Sequence, residues 1–215
     1  AGYLYSGPIA AAAYRELIGR VEGIQRVVLL GPAHFVPVRG LAHPGVDRLA
    51  TPLGELPVDR EALAELADLP FVGESAEAHR REHGLEVHLP FLQRLLGAPH
   101  IVPLVVGHAV GAEVEEILDR LWGGEETLIV VSTDLSHFLD AASARRRDEE
   151  SARAIESYAE DALGPHDACG VVPLRGLLRA ASRRGLGIRR LDLRNSADTA
   201  GEPDRVVGYG AWSLA

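Results

Sequence analysis

No methionine occurs anywhere in this sequence, and cysteine occurs once. Without methionine Ala1 cannot be a natural initiator, so the chain reads as a portion of a longer protein. A single cysteine excludes an internal disulfide, and a reducing cytoplasm is the default compartment that follows. No apolar run approaches the roughly 20 residues that a bilayer-spanning helix needs. No basic flank with a cleavage motif marks a signal peptide. Positive charge is also short: 22 Lys and Arg stand against 31 Asp and Glu, a net charge of −9. Nothing offers a broad basic face to phosphates, so neither nucleic acid nor an anionic membrane is expected as a partner. The one basic run, Arg145-Arg146-Arg147, is followed directly by Asp148-Glu149-Glu150, the pattern of a solvated helix face.

What is present is ordinary for a soluble globular chain: 47% apolar and 25% charged over 215 residues, enough for one domain spanning 1–215. Three apolar runs carry the main signal, and each ends near a histidine. Val27-Val28-Leu29-Leu30 leads through the turn formers Gly31-Pro32 to His34. Ile101–Val106 leads to His108, and Leu128–Ser132 leads to Asp134 and His137. Runs rich in Val, Ile and Leu without polar alternation are what strands buried on both faces look like. Helical patterns are read over Ala10–Arg20, Asp59–Leu66, Ala112–Trp122, Ala144–Leu163 and Val171–Ser182. Another helical stripe runs over Glu82–Leu96, with Pro90 tolerable only if that helix starts near Val87 or Leu89. Ile188–Leu193 and Val206–Leu214 read as two further strands, and Phe35–Pro57 as loops and short extended pieces. Strands alternating with helices predict a single-domain α/β fold, with a mostly parallel or mixed central sheet flanked by helices.

In open α/β sheets the ligand crevice lies beyond the carboxyl ends of the strands. His34, His108, His137 and Asp134 are therefore expected to converge on one sheet edge, as a metal or acid–base site requires. Asp134 and His137 share a face if the chain turns helical after the strand. Such a carboxylate can orient the imidazole for general acid–base work. Ser132 and Ser136 lack the Gly-x-Ser-x-Gly elbow of a serine hydrolase. Cys169 lies just before a helical stretch. A free cysteine is usually buried and inert, but a helix N-terminus favours the thiolate that ligates metals, and both readings stand. In Glu82-His83-Gly84-Leu85-Glu86-Val87-His88, His83 and Glu86 share a face if helical and are candidates for lining a pocket. The two histidines are five apart, so this is not the zinc motif His-Glu-x-x-His. His88 reads as a core or capping residue and His108 as a surface one. His43, His79, His100 and His166 carry no partner pattern.

In order and spacing, six segments resemble the Memo family over nearly the whole chain. They are Ala1-Gly2-Tyr3, Gly31-Pro32-Ala33-His34, Thr51-Pro52-Leu53-Gly54, Glu82–Pro90, Val131–His137 and Ala168-Cys169-Gly170. The resemblance implies a fold like that of class III extradiol dioxygenases and a cytoplasmic location. It also implies a metal site of two histidines and one cysteine beside an Asp–His pair. His34 and Cys169 would be ligands, and Asp134 with His137 the pair. The other histidine belongs to a Pro-His-Ala-Gly-Tyr segment that would fall upstream of Ala1, so metal binding by these 215 residues is expected to be weak. Phe35 stands where the family often has a second histidine. Gly170-Val171-Val172-Pro173 lacks the basic and histidine residues of some members.

A thiolate in place of the extradiol carboxylate shifts metal preference toward copper or zinc, with iron still open. The expected function is a metal-dependent redox enzyme of extradiol type, using iron or copper on an unknown small substrate. The alternative is a non-catalytic metal-binding or peptide-binding adaptor using the same cleft. A weaker third reading is a hydrolase using Cys169 or Ser132, which requires a nearby histidine and an oxyanion hole. A protein partner or self-association stays open.

Overall fold

In the computed structural model, which describes residues 2–215, ten strands and seven α-helices form. The strands are β1 (Arg26–Pro32), β2 (Leu41–His43), β3 (Arg48–Thr51), β4 (Gly54–Pro57), β5 (Val72–Glu74), β6 (His100–Val106), β7 (Thr127–Val131), β8 (His137–Leu139), β9 (Ile188–Asn195) and β10 (Val206–Leu214). The helices are α1 (Tyr3–Tyr14), α2 (Arg60–Ala64), α3 (Ala76–Arg80), α4 (Leu89–Leu96), α5 (Gly111–Leu121), α6 (Ala141–Glu156) and α7 (Val171–Arg183).

The three apolar runs form the heart of a five-stranded sheet ordered β5-β2-β6-β1-β7. β1 runs parallel to both β6 and β7, whereas β2 is antiparallel to β6, so the sheet is mixed. Strand side chains alternate between faces, and each face has its own cover. Val28, Leu30, Val102 and Leu104 pack beneath Val114, Ile117 and Leu118 of α5 and Ala180 of α7. Val27, Leu29, Ile101 and Val105 pack beneath Tyr14 of α1 and Leu89 and Leu92 of α4. Burial on both faces explains why these strands show no polar alternation. A second, antiparallel sheet is ordered β8-β10-β9, and Ile9 of α1 packs on its Tyr209 and Ala211. β3 and β4 form a hairpin whose turn is Pro52-Leu53.

Several boundaries depart from the sequence reading. The first helix spans Tyr3–Tyr14 and not Ala10–Arg20; it carries Pro8 internally, and the packing of Ile9 on the second sheet accompanies that cost. Gly31-Pro32 does not end β1, which pairs with β6 through Pro32. An added Cβ at Gly31 would lie 2.7 Å from Leu85 Cδ2, so any larger residue there has to displace the Leu85 side chain. The expected helix start near Leu89 holds, with Pro90 in its first turn. The charged helix ends at Glu156, short of Leu163. Among the described residues no helix is long and apolar enough to cross a membrane.

Candidate metal centre

The carboxyl end of β1 delivers His34. Ala33 N–H donates to Val106 O, keeping the backbone in sheet register until one residue before the histidine. A buried carboxylate from outside the sheet then takes hold of it. Glu82 Oε2 accepts from the His34 backbone N–H at 2.7 Å, and its two oxygens lie 3.0 and 3.1 Å from His34 Nδ1. Gly84 N–H donates to Glu82 Oε1 at 2.9 Å. The Glu82 side chain is 1% exposed, against 39% for His34, so the carboxylate is the anchor and the ring faces the cleft. Cys169 acts on the ring as well: its side chain first, and Glu82 second, push the His34 pKa up to about 10. Burial alone would raise the Glu82 pKa, but the bonds from His34 and from the His34 and Gly84 N–H groups prevail and hold it down to about 2.

Cys169 reaches this point because the turn before α7 closes against the loop after β7. Cys169 N–H donates to Asp134 O at 3.2 Å, and Asp134 N–H donates back to Cys169 Sγ at 3.2 Å. Gly170 N–H donates to Thr133 Oγ1 at 2.8 Å. The approach is so close that a Cβ on Gly170 would lie 2.8 Å from both Ser132 O and Thr133 Cβ. Asp134, His137 and Cys169 offer one donor atom each, all within 4.8 Å of one another, the spacing of residues that could hold a metal ion. His137 Nε2 lies 3.8 Å from Asp134 Oδ2, an ion-pair distance and not a hydrogen bond. A helical turn does not make this pair: His137 is the first residue of β8, which adds to β10 and turns its ring back toward Asp134.

Asp134, His137 and Cys169 therefore come together, whereas His34 approaches Cys169 without belonging to that group of three. His108 does not join them; it is exposed and bridges to Arg39. His83 lines the cleft, its ring centroid 6.5 Å from that of His34. Glu86 is exposed at the start of a 3-10 turn, so it and His83 do not share a helical face. The carboxylate that engages the site is Glu82, four residues earlier. His88 packs inward, its Nδ1 hydrogen-bonded to the Tyr14 hydroxyl at 2.8 Å. Two more residues had no signal in the sequence. Tyr209 is buried beside Asp134, its phenol pKa raised first by burial and then by that carboxylate. Phe138, at φ 63°, holds its ring in solvent with the Arg205 guanidinium 4.3 Å above it. Ser132 Oγ donates to Gly84 O at 2.8 Å, tying the loop of Glu82 to the end of β7.

Comparison with known proteins gives this geometry a family. A relative from Aquifex aeolicus, described as a MEMO1 family protein, is 34% identical over 222 residues, covering 97% of this chain and 81% of the relative. One of the same description from Aeropyrum pernix is 38% identical over 227 residues, covering 98% and 79%. The fold is similar to the crystal structure of uncharacterized protein JW3007 from Escherichia coli K12, with a TM-score of 0.56 at 17% identity, covering 92% of this chain and 91% of that one. The model of the Memo-like protein family matches residues 1–213, which include every site residue described above, and the chain belongs to the Memo family.

Proposed function

We propose that this chain is a metal-dependent redox protein, with Cys169 and His34 as ligands and Asp134 with His137 as the adjacent proton-handling pair. One observation carries the reading: Cys169 shares a group of possible ligand atoms, all within 4.8 Å of one another, with Asp134 and His137, and it also acts on the His34 ring. The residues suit a soft transition metal. A thiolate and an imidazole together favour copper, iron or zinc over magnesium or calcium. Glu82 occupies Nδ1 of His34 and leaves Nε2 for the ion, the usual arrangement of a carboxylate behind a ligating histidine. Iron or copper bound there would supply Lewis acidity and one-electron chemistry toward a small substrate. The protein's own part is to bind and orient that substrate in the cleft and to move its proton. His137 takes the proton, and Asp134 stabilises the imidazolium that results.

The test is metal titration under anaerobic conditions with Fe(II), Cu(I) and Zn(II), then oxygen uptake with a panel of catechols. Cys169→Ser and His34→Ala should abolish binding. His137→Ala and Asp134→Asn should keep the metal and lose turnover. Loss of metal in the last two with retention in His34→Ala would move the ion into the Asp134–His137–Cys169 cluster. Metal uptake without oxygen consumption would favour a binding protein.

The series Glu82–His34–Cys169 also has the order of an activated thiol nucleophile. Against that reading, the Asp134 N–H points at Sγ itself and not at the place where an oxyanion would form. Ester hydrolysis by the metal-free protein, abolished in Cys169→Ser, would reinstate it.

A further inference from the structure

Arg15, Arg94 and Glu86 are charges without partners, in a chain where ion pairing is the rule. Arg120 pairs with Asp68, Arg183 with Asp119, and Arg190 with Glu149 and Glu156. Among the described residues Arg15, Arg94 and Glu86 enter no ion pair. All three are exposed, and all three stand around one apolar groove. The groove, about 460 Å³, runs between α1 and α4, and its wall is almost wholly carbon. Phe91 of α4 joins the two helices there: the Tyr14 ring stacks on it at 4.9 Å, and Tyr3 meets it edge-on at 5.9 Å. Ile18, Pro90 and Leu95 line the groove as well, and Ile18 remains 67% exposed and Tyr3 50%. Aromatic side chains with arginine at the margin are the composition of an interface and not of ordinary surface.

The charges are ordered by sign. Glu86 and Arg94 lie on either side of Pro90, one four residues before it and the other four after, along the continuous 3-10 and α-helical stretch from Glu86 to Leu96. Residues four apart are neighbours on one helical face. At about 1.5 Å per residue the two charges stand about 12 Å apart, with an apolar centre between them. Glu86 is tied to the groove through Tyr3, whose phenol feels its charge. Tyr3 is itself fixed, its Oη donating to Val87 O at 3.0 Å. Arg15 adds positive charge beyond the far end of α1 from Tyr3. A face with a negative end, an apolar middle and a positive end is complementary to itself when turned by half a revolution. In an isologous contact residue i meets j and j meets i, and this order of charges satisfies that condition. A ligand carrying one sign of charge would satisfy one end and oppose the other.

We propose that this face docks a second copy of the same chain about a two-fold axis near Pro90. The two α4 helices run antiparallel, the apolar side chains of Ile18, Phe91 and Leu95 are covered by the other copy, and Glu86 of each copy faces Arg94 of the other. Apolar surface removed from water drives the association. The reciprocal charges fix its register and exclude other dockings. The inference rests on surface residues alone and is independent of the metal chemistry of the cleft.

Sedimentation equilibrium across the micromolar range tests it. The mass should rise with concentration to twice the 23.0 kDa of one chain and stop there. Glu86→Arg and Arg94→Glu each set two like-charge contacts across the interface, and each alone should weaken dimerisation at least about 100-fold. Mixed one to one, the same two variants should form a heterodimer of wild-type affinity, because every contact then joins opposite charges. Ile18→Asp should weaken the dimer as well, and mixing with neither charge variant should restore it. All three positions are exposed, so the variants should keep the circular dichroism and melting of the wild type. A chain that stays monomeric throughout overturns the proposal and leaves the groove to a different partner. Self-association that ignores both charge swaps, or that continues past two copies, places the contact on another surface and overturns it too. So does a mixture of the two charge variants that fails to restore the dimer.

Discussion

Glu82 grips His34 and Cys169 acts on it, and the two differ in how far the sequence announces them. Cys169, Asp134 and His137 each stand at the end of a strand or just before a helix, and such a position is legible as a local pattern. Glu82 lies 48 positions from His34 and meets it only through tertiary packing. No period or cap marks it, so attention falls on His83 and Glu86 instead. Its weight can be measured. Glu82→Ala strands the His34 N–H, the Gly84 N–H and the Nδ1 side of the ring in a place where water has little access. Unsatisfied donors of that kind cost about 1–3 kcal/mol. Losing the carboxylate behind a ligating histidine typically costs about 10–100-fold in metal affinity. Urea denaturation and Cu(I) or Fe(II) titration of Glu82→Ala and Glu82→Gln separate the two effects. Gln keeps one acceptor oxygen and should recover most of the stability but only part of the affinity. Wild-type affinity in Glu82→Ala would show that His34 needs no such support, or is not a ligand.

Elements with a strong period or a pure apolar run appear where the sequence places them: β1, β6, β7, α5 and α7. β8 has three residues, and its pairing with β10 rather than its own composition makes it a strand, so a local reading of Asp134–His137 favours a helical turn. α1 is displaced because its register is set by contacts with β10 and α4 and not by its alanines. One of those contacts titrates. His88, immediately before α4, is hydrogen-bonded to Tyr14 of α1, and burial lowers its pKa from 6.5 to about 4. The unfolded chain binds this proton below pH 6.5, and the folded one refuses it until about pH 4. The contribution is therefore complete above pH 6.5 and drains away as pH falls toward 4, by up to about 3 kcal/mol. His88→Gln keeps an acceptor for the Tyr14 hydroxyl and removes the titration. Its stability, from urea melts between pH 4 and 7, should fall less steeply with acid than that of the wild type. Parallel acid limbs in the two proteins would place the titrating group elsewhere.

Of the three sheets, the five-stranded and the three-stranded one are joined, among the described residues, by packing and not by pairing. Alternating strands and helices make the α/β class legible, but the split into a mixed sheet of five strands and an antiparallel one of three is not. That split depends on which edges meet across long stretches of chain. The consequence is mechanical. β1 and β6 lie between two covered faces, and their side chains from Val27 to Leu30 and from Ile101 to Val106 are buried. Most residues of β9 are only half-buried. Leu135, Ile155 and Leu178 tie the second sheet to the first through apolar contact with Val131, Ile188 and Trp212, without a continuous hydrogen-bonded ladder. Regions joined by side-chain packing alone open below the global unfolding free energy. Native-state hydrogen exchange at rising guanidinium concentration should therefore show β9 and β10 opening as one unit, at lower cost than β1 and β6. The gap should be about 1 kcal/mol or more, the size of change that shifts local populations several-fold. The candidate metal centre sits on this seam, since Asp134 and His137 lie in the chain between β7 and β10 while His34 follows β1. If metal reaches across it, adding the ion should slow exchange in β10 more than in β6. A single opening free energy shared by all four strands, with or without metal, would mean that packing alone makes the two sheets one cooperative body.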